Sequence, residues 1–333
     1  MKNSSKNKNY KVIDMHCDTV LRLMYSNEPL LKTEGHLDLE RMQKGNYALQ
    51  CFAMFVHYQK VERPFEYVNK MIDKYYQEIS KNMDIIRPVF SYEDIENNMK
   101  NGYMSSMLTI EEGGVTQGNL SFLRNLYLLG VRMITLTWNF ENGIGFSNFK
   151  ESEDGKPDMH TPNTTDGLTE YGIEMVKEME KLGIIIDVSH LSDKGFYDVL
   201  EHTTKPFVAS HSNARSVCGV VRNMTDDMIL KLAERGGVMG INYCASFVND
   251  VEENNFAYVK DMVKHIKYIK DLAGIDCIGL GSDYDGIGSN IEMNSCDKLY
   301  LLQEELEKEG FTQEEIEKIF YKNVLRVFKE VLI

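Results

Sequence analysis

Histidine and carboxylate side chains recur in this sequence at the ends of apolar runs. Ile184-Ile-Ile-Asp187-Val-Ser-His190 and Phe207-Val-Ala-Ser-His211 both finish in Ser-His, and Val12-Ile-Asp14-Met-His16-Cys-Asp18 finishes in His-x-Asp. Leu108-Thr-Ile110-Glu111-Glu112-Gly-Gly and Ile278-Gly-Leu-Gly281-Ser-Asp283-Tyr-Asp285-Gly286 finish in carboxylates. Imidazole nitrogen and carboxylate oxygen without thiolate suit Zn first, Mn or Fe less well. A pair of histidines, a His-Asp pair and one shared carboxylate suffice for two divalent cations. Two ions flanking a water lower its pKa toward neutrality and polarise a carbonyl, so the chemistry implied is hydrolysis. Unrelated buried polar residues in ion pairs are the plainer alternative, but they would not fall repeatedly at the same end of successive strands.

Strand periodicity gives each residue a face, because successive side chains of a strand point to opposite sides. His16 and Asp18 share one face, as ligands from one strand must. Leu108, Ile110 and Glu112 share the face expected to be inward, which makes Glu112 the candidate ligand and leaves Glu111 on the other side. By the same count Ile186 and Val188 accompany His190, Phe207 and Ala209 accompany His211, and Ile134 and Leu136 accompany Trp138. Asp283 falls at the rim of the last run, with glycines beneath it that leave room inside.

The elements that must position these residues are legible as alternation. Apolar runs of strand length occur at Lys11–Asp18, Ala48–Val56, Met107–Glu112, Arg132–Trp138, Ile184–His190, Phe207–His211, Val238–Cys244 and Cys277–Asp285. Amphipathic stretches separate them: Leu37–Lys44, Phe65–Lys100, Asn119–Leu129, Leu168–Lys181, Leu191–His202, Thr225–Arg235 and Phe256–Ala273. Alternating strands and helices predict an α/β fold, a closed (β/α)8 barrel of the TIM type. Helices over Leu299–Lys308 and Gln313–Val331 extend it, and the runner-up is a doubly wound open sheet. The whole chain, 1–333, reads as one domain with residues 1–10 as a flexible N-terminus, and Phe140–Asp166 reads as a long loop at the active-site rim.

Composition narrows the class. With 333 residues, 43% of them hydrophobic and 26% charged, the chain is an ordinary soluble globular protein. A formal charge of -14 disfavours nucleic acid and anionic membranes as partners. No apolar run reaches the roughly 18 to 20 residues of a membrane span, and Met1–Lys11 lacks the apolar core of a signal peptide, so a cytoplasmic location is expected. The 6 cysteines are scattered, with no C-x-x-C pair, and read as reduced core thiols.

Together the motifs resemble the membrane dipeptidase (renal dipeptidase) family of zinc peptidases, in its soluble bacterial-type branch. The likeness is carried in order by His16-Cys-Asp18, Glu112-Gly-Gly, Thr135-Leu-Thr, Asp187-Val-Ser-His190, Ser210-His211-Ser, Val217-Cys218 with Arg222-Asn223, and Gly281-Ser-Asp283-Tyr-Asp285-Gly286. The resemblance implies two zinc ions per subunit, one on His16 and Asp18, the other on His190 and His211, with Glu112 bridging. It further implies that Arg222 grips the terminal carboxylate of a dipeptide, that Asp283 moves protons, and that the protein is a homodimer. A guanidinium suits the first role because it meets a carboxylate bidentately.

The chain is expected to lack the leader and lipid-anchor tail of the animal enzymes, and it places Trp138 where they have a histidine after Thr-Leu-Thr. An indole donates one hydrogen bond but carries no charge. Trp138 is therefore expected to shape the substrate pocket, with Asn139 or Asn142 as possible donors beside it. The rival readings are a related amidohydrolase acting on cyclic amides or N-acyl amino acids, whose substrates need no free carboxylate at Arg222, and a catalytically silent metal-binding relative.

Overall fold

The computed structural model describes residues 10–151, 157–249, 255–288 and 290–333. Eight parallel strands form the centre: β1 (Val12–Asp14), β2 (Tyr47–Phe55), β3 (Met104–Glu111), β4 (Val131–Thr135), β5 (Ile185–Asp187), β6 (Val208–Ala209), β7 (Val238–Ile241) and β8 (Ile278–Leu280). Each pairs with the next, and β8 returns to β1 through Asp14 and Leu280, so the sheet closes as a barrel. Every strand run read from the sequence overlaps one of these, with β2, β3 and β4 starting one to three residues earlier than read. Of the flexible segment expected at the N-terminus, residues 1–9 lie outside the described residues, and Tyr10 is packed edge-on against Phe320.

The expected helices appear between the strands with three differences. The Phe65–Lys100 stretch divides into helices Pro64–Ser80 and Tyr92–Asn101 around a short strand, Ile86–Pro88, which pairs with Met104–Ser106 below the point where β4 joins at Leu108. A helix at Thr19–Tyr25 follows β1 directly and was hidden by the His-x-Asp motif before it. The C-terminal Gln313–Val331 stretch is helical throughout but passes through a π turn at Lys318–Lys322. Its Asn323 donates to the carbonyls of Ile275 and Ile278 at 2.7 and 2.8 Å, which fixes the last helix to the entry of β8.

Two apolar layers hold the barrel. Ile13, Leu49, Met107, Met133, Ile185, Val208 and Val238 come from strands all round the sheet and contact one another, so they fill its interior, and Val324, Val327 and Phe328 of the last helix pack beneath them. Leu108, Ile110, Ile134, Leu136, Ile186, Val188, Phe207 and Ala209 belong instead to the layer shared with helix residues such as Val68, Leu123, Met175 and Phe196. The strand phase expected from the sequence is therefore inverted in β3, β4, β5 and β6. Strands buried on both faces are apolar on both, so alternation does not say which face is inside. Among the described helices none is long and apolar enough to cross a membrane.

Candidate metal centre

The site residues lie just past the ends of the strands, where the backbone leaves regular geometry. β1 stops at Asp14 and β5 at Asp187, and His190 (φ 69°), Asp283 (φ 61°) and Glu112 (φ 101°) all take left-handed backbone conformations. Such conformations are strained for residues other than glycine and cluster where surrounding structure enforces them. The left-handed turn carries His190 to the cavity although β5 below it has the opposite phase, whereas Asp283 continues the face of Gly279, which points at the interior residues Met15, Val238 and Val324.

Glu111, only 3% exposed, stands at the centre. Its Oε2 lies 3.2 Å from His16 Nε2, which is itself 3.4 Å from Asp18 Oδ2. Its Oε1 lies 3.1 Å from His190 Nε2 and 3.5 Å from His211 Nε2. One carboxylate thus faces both halves of the expected ligand set with different oxygens, the disposition a bridging ligand requires. The groups His16–Glu111–His211 and His16–Asp18–Asp283 each bring their ligand atoms within 4.8 Å of one another.

The expectation that Glu112 occupies this position is corrected. Glu112 accepts from the backbone N–H groups of Gly114 (2.8 Å) and Trp138 (3.1 Å) and from the side-chain amide of Asn142. It is a buried tether that holds the loop carrying Trp138. Burial pushes its pKa up to about 7, against the lowering effect of those donors. The inverted phase of β3 is the cause: Leu108 and Ile110 face the helices, and Glu111 continues the inward set of Met107. A side chain at Gly114 would collide with Glu112 and Asn142, which is why glycine follows here.

Outer contacts fix the imidazoles. Ser210 Oγ donates to Asp187 Oδ2 at 2.5 Å and so receives His211 Nδ1–H at 2.7 Å. Asp187 also accepts from the Thr135 hydroxyl at 2.6 Å and from the backbone N–H groups of Ser189 and Ser210. Asn139 Oδ1 accepts from His190 Nδ1 at 2.8 Å. With Nδ1 protonated in each ring, the Nε2 lone pairs point into the site, as ligand histidines need. Asp14 accepts from the N–H groups of His16 (3.2 Å) and Ser282 (2.9 Å) and ties the turn after β1 to the turn after β8.

The electrostatics are those of a centre built for cations. Burial opposes charge on His16, yet Glu111 and Asp18 outweigh it and hold its pKa well above the usual value. His190 is pushed down to about 4 by burial and then by Arg222, and His211 is lowered by burial, His16 and Arg222. His16 Nε2 and Asp18 Oδ1 are buried without a hydrogen-bond partner. Orphaned polar atoms of this kind are costly unless a ligand satisfies them, and these donors fit divalent metal ions.

Asp283 and Arg222 complete the polar side. Asp283 Oδ1 lies 4.0 Å from His16 Nε2, while its Oδ2 accepts from Asn242 at 3.0 Å. Burial first, then Asp18 and Glu111 against the opposing His16 and Arg222, pushes its pKa up to about 8. Arg222 is 8% exposed and all three guanidinium nitrogens are buried without a partner. The site opens into a cavity of about 230 Å³. Trp138 lines it, with its ring centroid 6.2 Å from that of His190 and 5.0 Å from that of Phe55. Asn142 is turned to Glu112 and the Leu136 carbonyl, and Asn139 to His190, so the two asparagines expected near substrate serve the scaffold. His57, which the sequence reading passed over, also lines the cavity; it follows the apolar run Ala48–Val56 directly, the same signal that marked the other sites.

A closed parallel barrel with a histidine and carboxylate cluster at the carboxyl ends of its strands defines a metal-dependent hydrolase. The family model described as membrane dipeptidase (peptidase family M19) matches residues 4–332, and the chain belongs to that family. It is 32% identical to an uncharacterized dipeptidase of Schizosaccharomyces pombe, over 97% of this chain and 81% of that protein. A solved structure described as dipeptidase AC, a metallopeptidase of family M19, is 25% identical with a TM-score of 0.88, covering 98% of this chain and 99% of the other. A Rhodobacter sphaeroides metallopeptidase, solved with a phosphinate mimic of the dipeptide L-Ala-D-Ala, has the same fold at 24% identity and a TM-score of 0.88, covering 97% of this chain and 100% of the other. Family and structural relatives together indicate a metallo-dipeptidase.

Proposed function

We propose that the protein is a binuclear zinc dipeptidase acting on dipeptides with a free C-terminal carboxylate. His16, Asp18 and Glu111 would hold one ion and Glu111, His190 and His211 the other, supplying an activated water and a polarised carbonyl when bound. Arg222 receives the substrate carboxylate, which would satisfy its otherwise unpartnered guanidinium. Asp283, oriented by Asn242, takes a proton from the attacking water and returns it to the nitrogen of the breaking C–N bond, so that two amino acids leave. The scattered cysteines, with no C-x-x-C pair, fit a reducing compartment such as the cytoplasm.

The observation that carries the substrate class is Arg222: a buried cation beside the carboxylate and histidine cluster whose guanidinium has no hydrogen-bond partner among the described residues. An uncompensated buried charge is strongly unfavourable, and an anionic group of the substrate resolves it. Cyclic amides offer no such group. N-acyl amino acids do, but lack the free amine that Asp18, Asp283 and Asp285 on the cavity wall would receive. The test is a screen of metal-loaded protein against dipeptides, their C-terminal amides, N-acyl amino acids and cyclic amides. Turnover of free dipeptides well above the other three is expected, and preference for any of those would displace this reading.

A further inference from the structure

The cavity is lined by the apolar Leu21 and Phe55 and by Trp138 and His57 as well as by Asp18, Glu111, Asp283 and His190. A peptide carbonyl becoming an oxyanion needs a donor on the side away from the attacking water. Val56 N donates to the Glu111 carbonyl at 3.2 Å, so the chain carrying His57 leaves the sheet beside the residue that bears the central carboxylate. The His57 ring is held between Trp138 and Phe140, with centroid separations of 5.1 and 5.4 Å, and its Nδ1 is buried with no hydrogen-bond partner. A polar atom left in that state is unfavourable in the free protein and gains when a ligand meets it. Asn139 and Asn142 are already engaged with His190 and Glu112.

We infer that His57 is a catalytic residue of the hydrolysis, donating a hydrogen bond from its imidazole to the substrate carbonyl oxygen as that oxygen gains charge. The inference rests on the dipeptidase reading above. No bond to His57 forms or breaks; its proton stays on the ring, and the hydrogen bond strengthens toward the transition state. The aromatic neighbours set the ring's place, which distinguishes this donor from one on a mobile loop.

Steady-state kinetics of metal-loaded wild type, His57→Phe, His57→Gln and Trp138→Phe on a free dipeptide test it, together with affinities for a phosphinate pseudo-dipeptide. Loss of one oxyanion donor typically lowers kcat on the order of 10²-fold, and that loss is expected for His57→Phe with KM little changed. Phosphinate affinity should fall in parallel with kcat/KM, while His57→Gln, which keeps a donor, retains most of the rate. If the Phe variant loses metal or its folding transition, His57→Met, also without a donor, is judged by the same criterion. A donor-free variant turning over within about threefold of wild type would overturn the inference. So would a collapse of kcat in Trp138→Phe alone, which would assign the donation to the indole. Wild-type protein that holds its metals yet cleaves no dipeptide would sink the dipeptidase reading itself, before any variant is compared.

Discussion

His190 and His211 bring their Nε2 atoms to within 3.0 Å of each other, although Asn139 and Ser210 each take up the Nδ1 proton and leave a lone pair on the facing nitrogens. Two lone pairs so close repel unless a cation lies between or beside them. Chelation is therefore expected to abolish turnover and to lower the thermal midpoint, and zinc or another divalent ion to restore both. Elemental analysis should find close to two equivalents of metal, and active protein with less than one would end the binuclear proposal.

The two adjacent glutamates separate cleanly by mutation. Glu111→Gln should empty at least one metal position, because an amide in the centre offers one ligand oxygen instead of two. Glu112→Gln should keep the metals but cost about 1 to 3 kcal/mol of stability, since its amide NH2 must face either the Trp138 N–H or the Gly114 and Asn142 donors. Metal content and denaturation midpoints of the pair decide between the two assignments; loss of metal only in the Glu112 variant would reverse them.

Asp283→Asn keeps the shape and the contact with Asn242 but cannot accept a proton. A drop in kcat of about 10² to 10⁴-fold with metal content intact is expected. Were the metal to leave with the carboxylate, Asp283 would have to be counted as a ligand.

Arg222→Ala should weaken free dipeptides by about 1.5 to 3 kcal/mol while C-terminally amidated dipeptides change little. Equal losses on the two substrate sets would remove the carboxylate from its proposed partner.

Trp138 packs edge-on against Phe55 and stands over the mouth of the cavity, so its effect is expected on substrate choice. Trp138→Phe should reorder dipeptide preference while kcat on the best substrate stays within about tenfold. An equal fall across all dipeptides with KM unchanged would contradict a role in shape.

Much of this was readable from residue order, and the parts that were not share a physical cause. All eight strands were placed because each is an apolar run bounded by polar residues, and His16, Asp18, His190, His211 and Asp283 stand out as candidates because they break those runs at one end. Which face was inside was misread in β3 to β6, since Ile186, Phe207 and Ile110 are as apolar as the Ile185, Val208 and Met107 that fill the barrel. The choice of Glu112 over Glu111 followed from that inversion. His190 reaches the cavity despite it because its left-handed backbone resets the direction of the side chain, something no periodicity encodes. His57 was within reach of the same rule and was lost only by ending the strand at Val56.

The last helix has a bearing on how the molecule comes into being. β1 finds its second neighbour only in β8, and the floor of the barrel is laid by Val324, Val327 and Phe328. During synthesis His16 and Asp18 emerge early, but the partners that shape their surroundings leave the ribosome near the end. A nascent chain stalled before Ile278 would therefore hold an open sheet with exposed Ile13, Met107 and Ile185, dependent on chaperones and unable to retain metal. Protease resistance of ribosome-bound chains of increasing length should accordingly appear in one late step; gradual protection from the first βα units onward would show that the barrel matures piecewise instead.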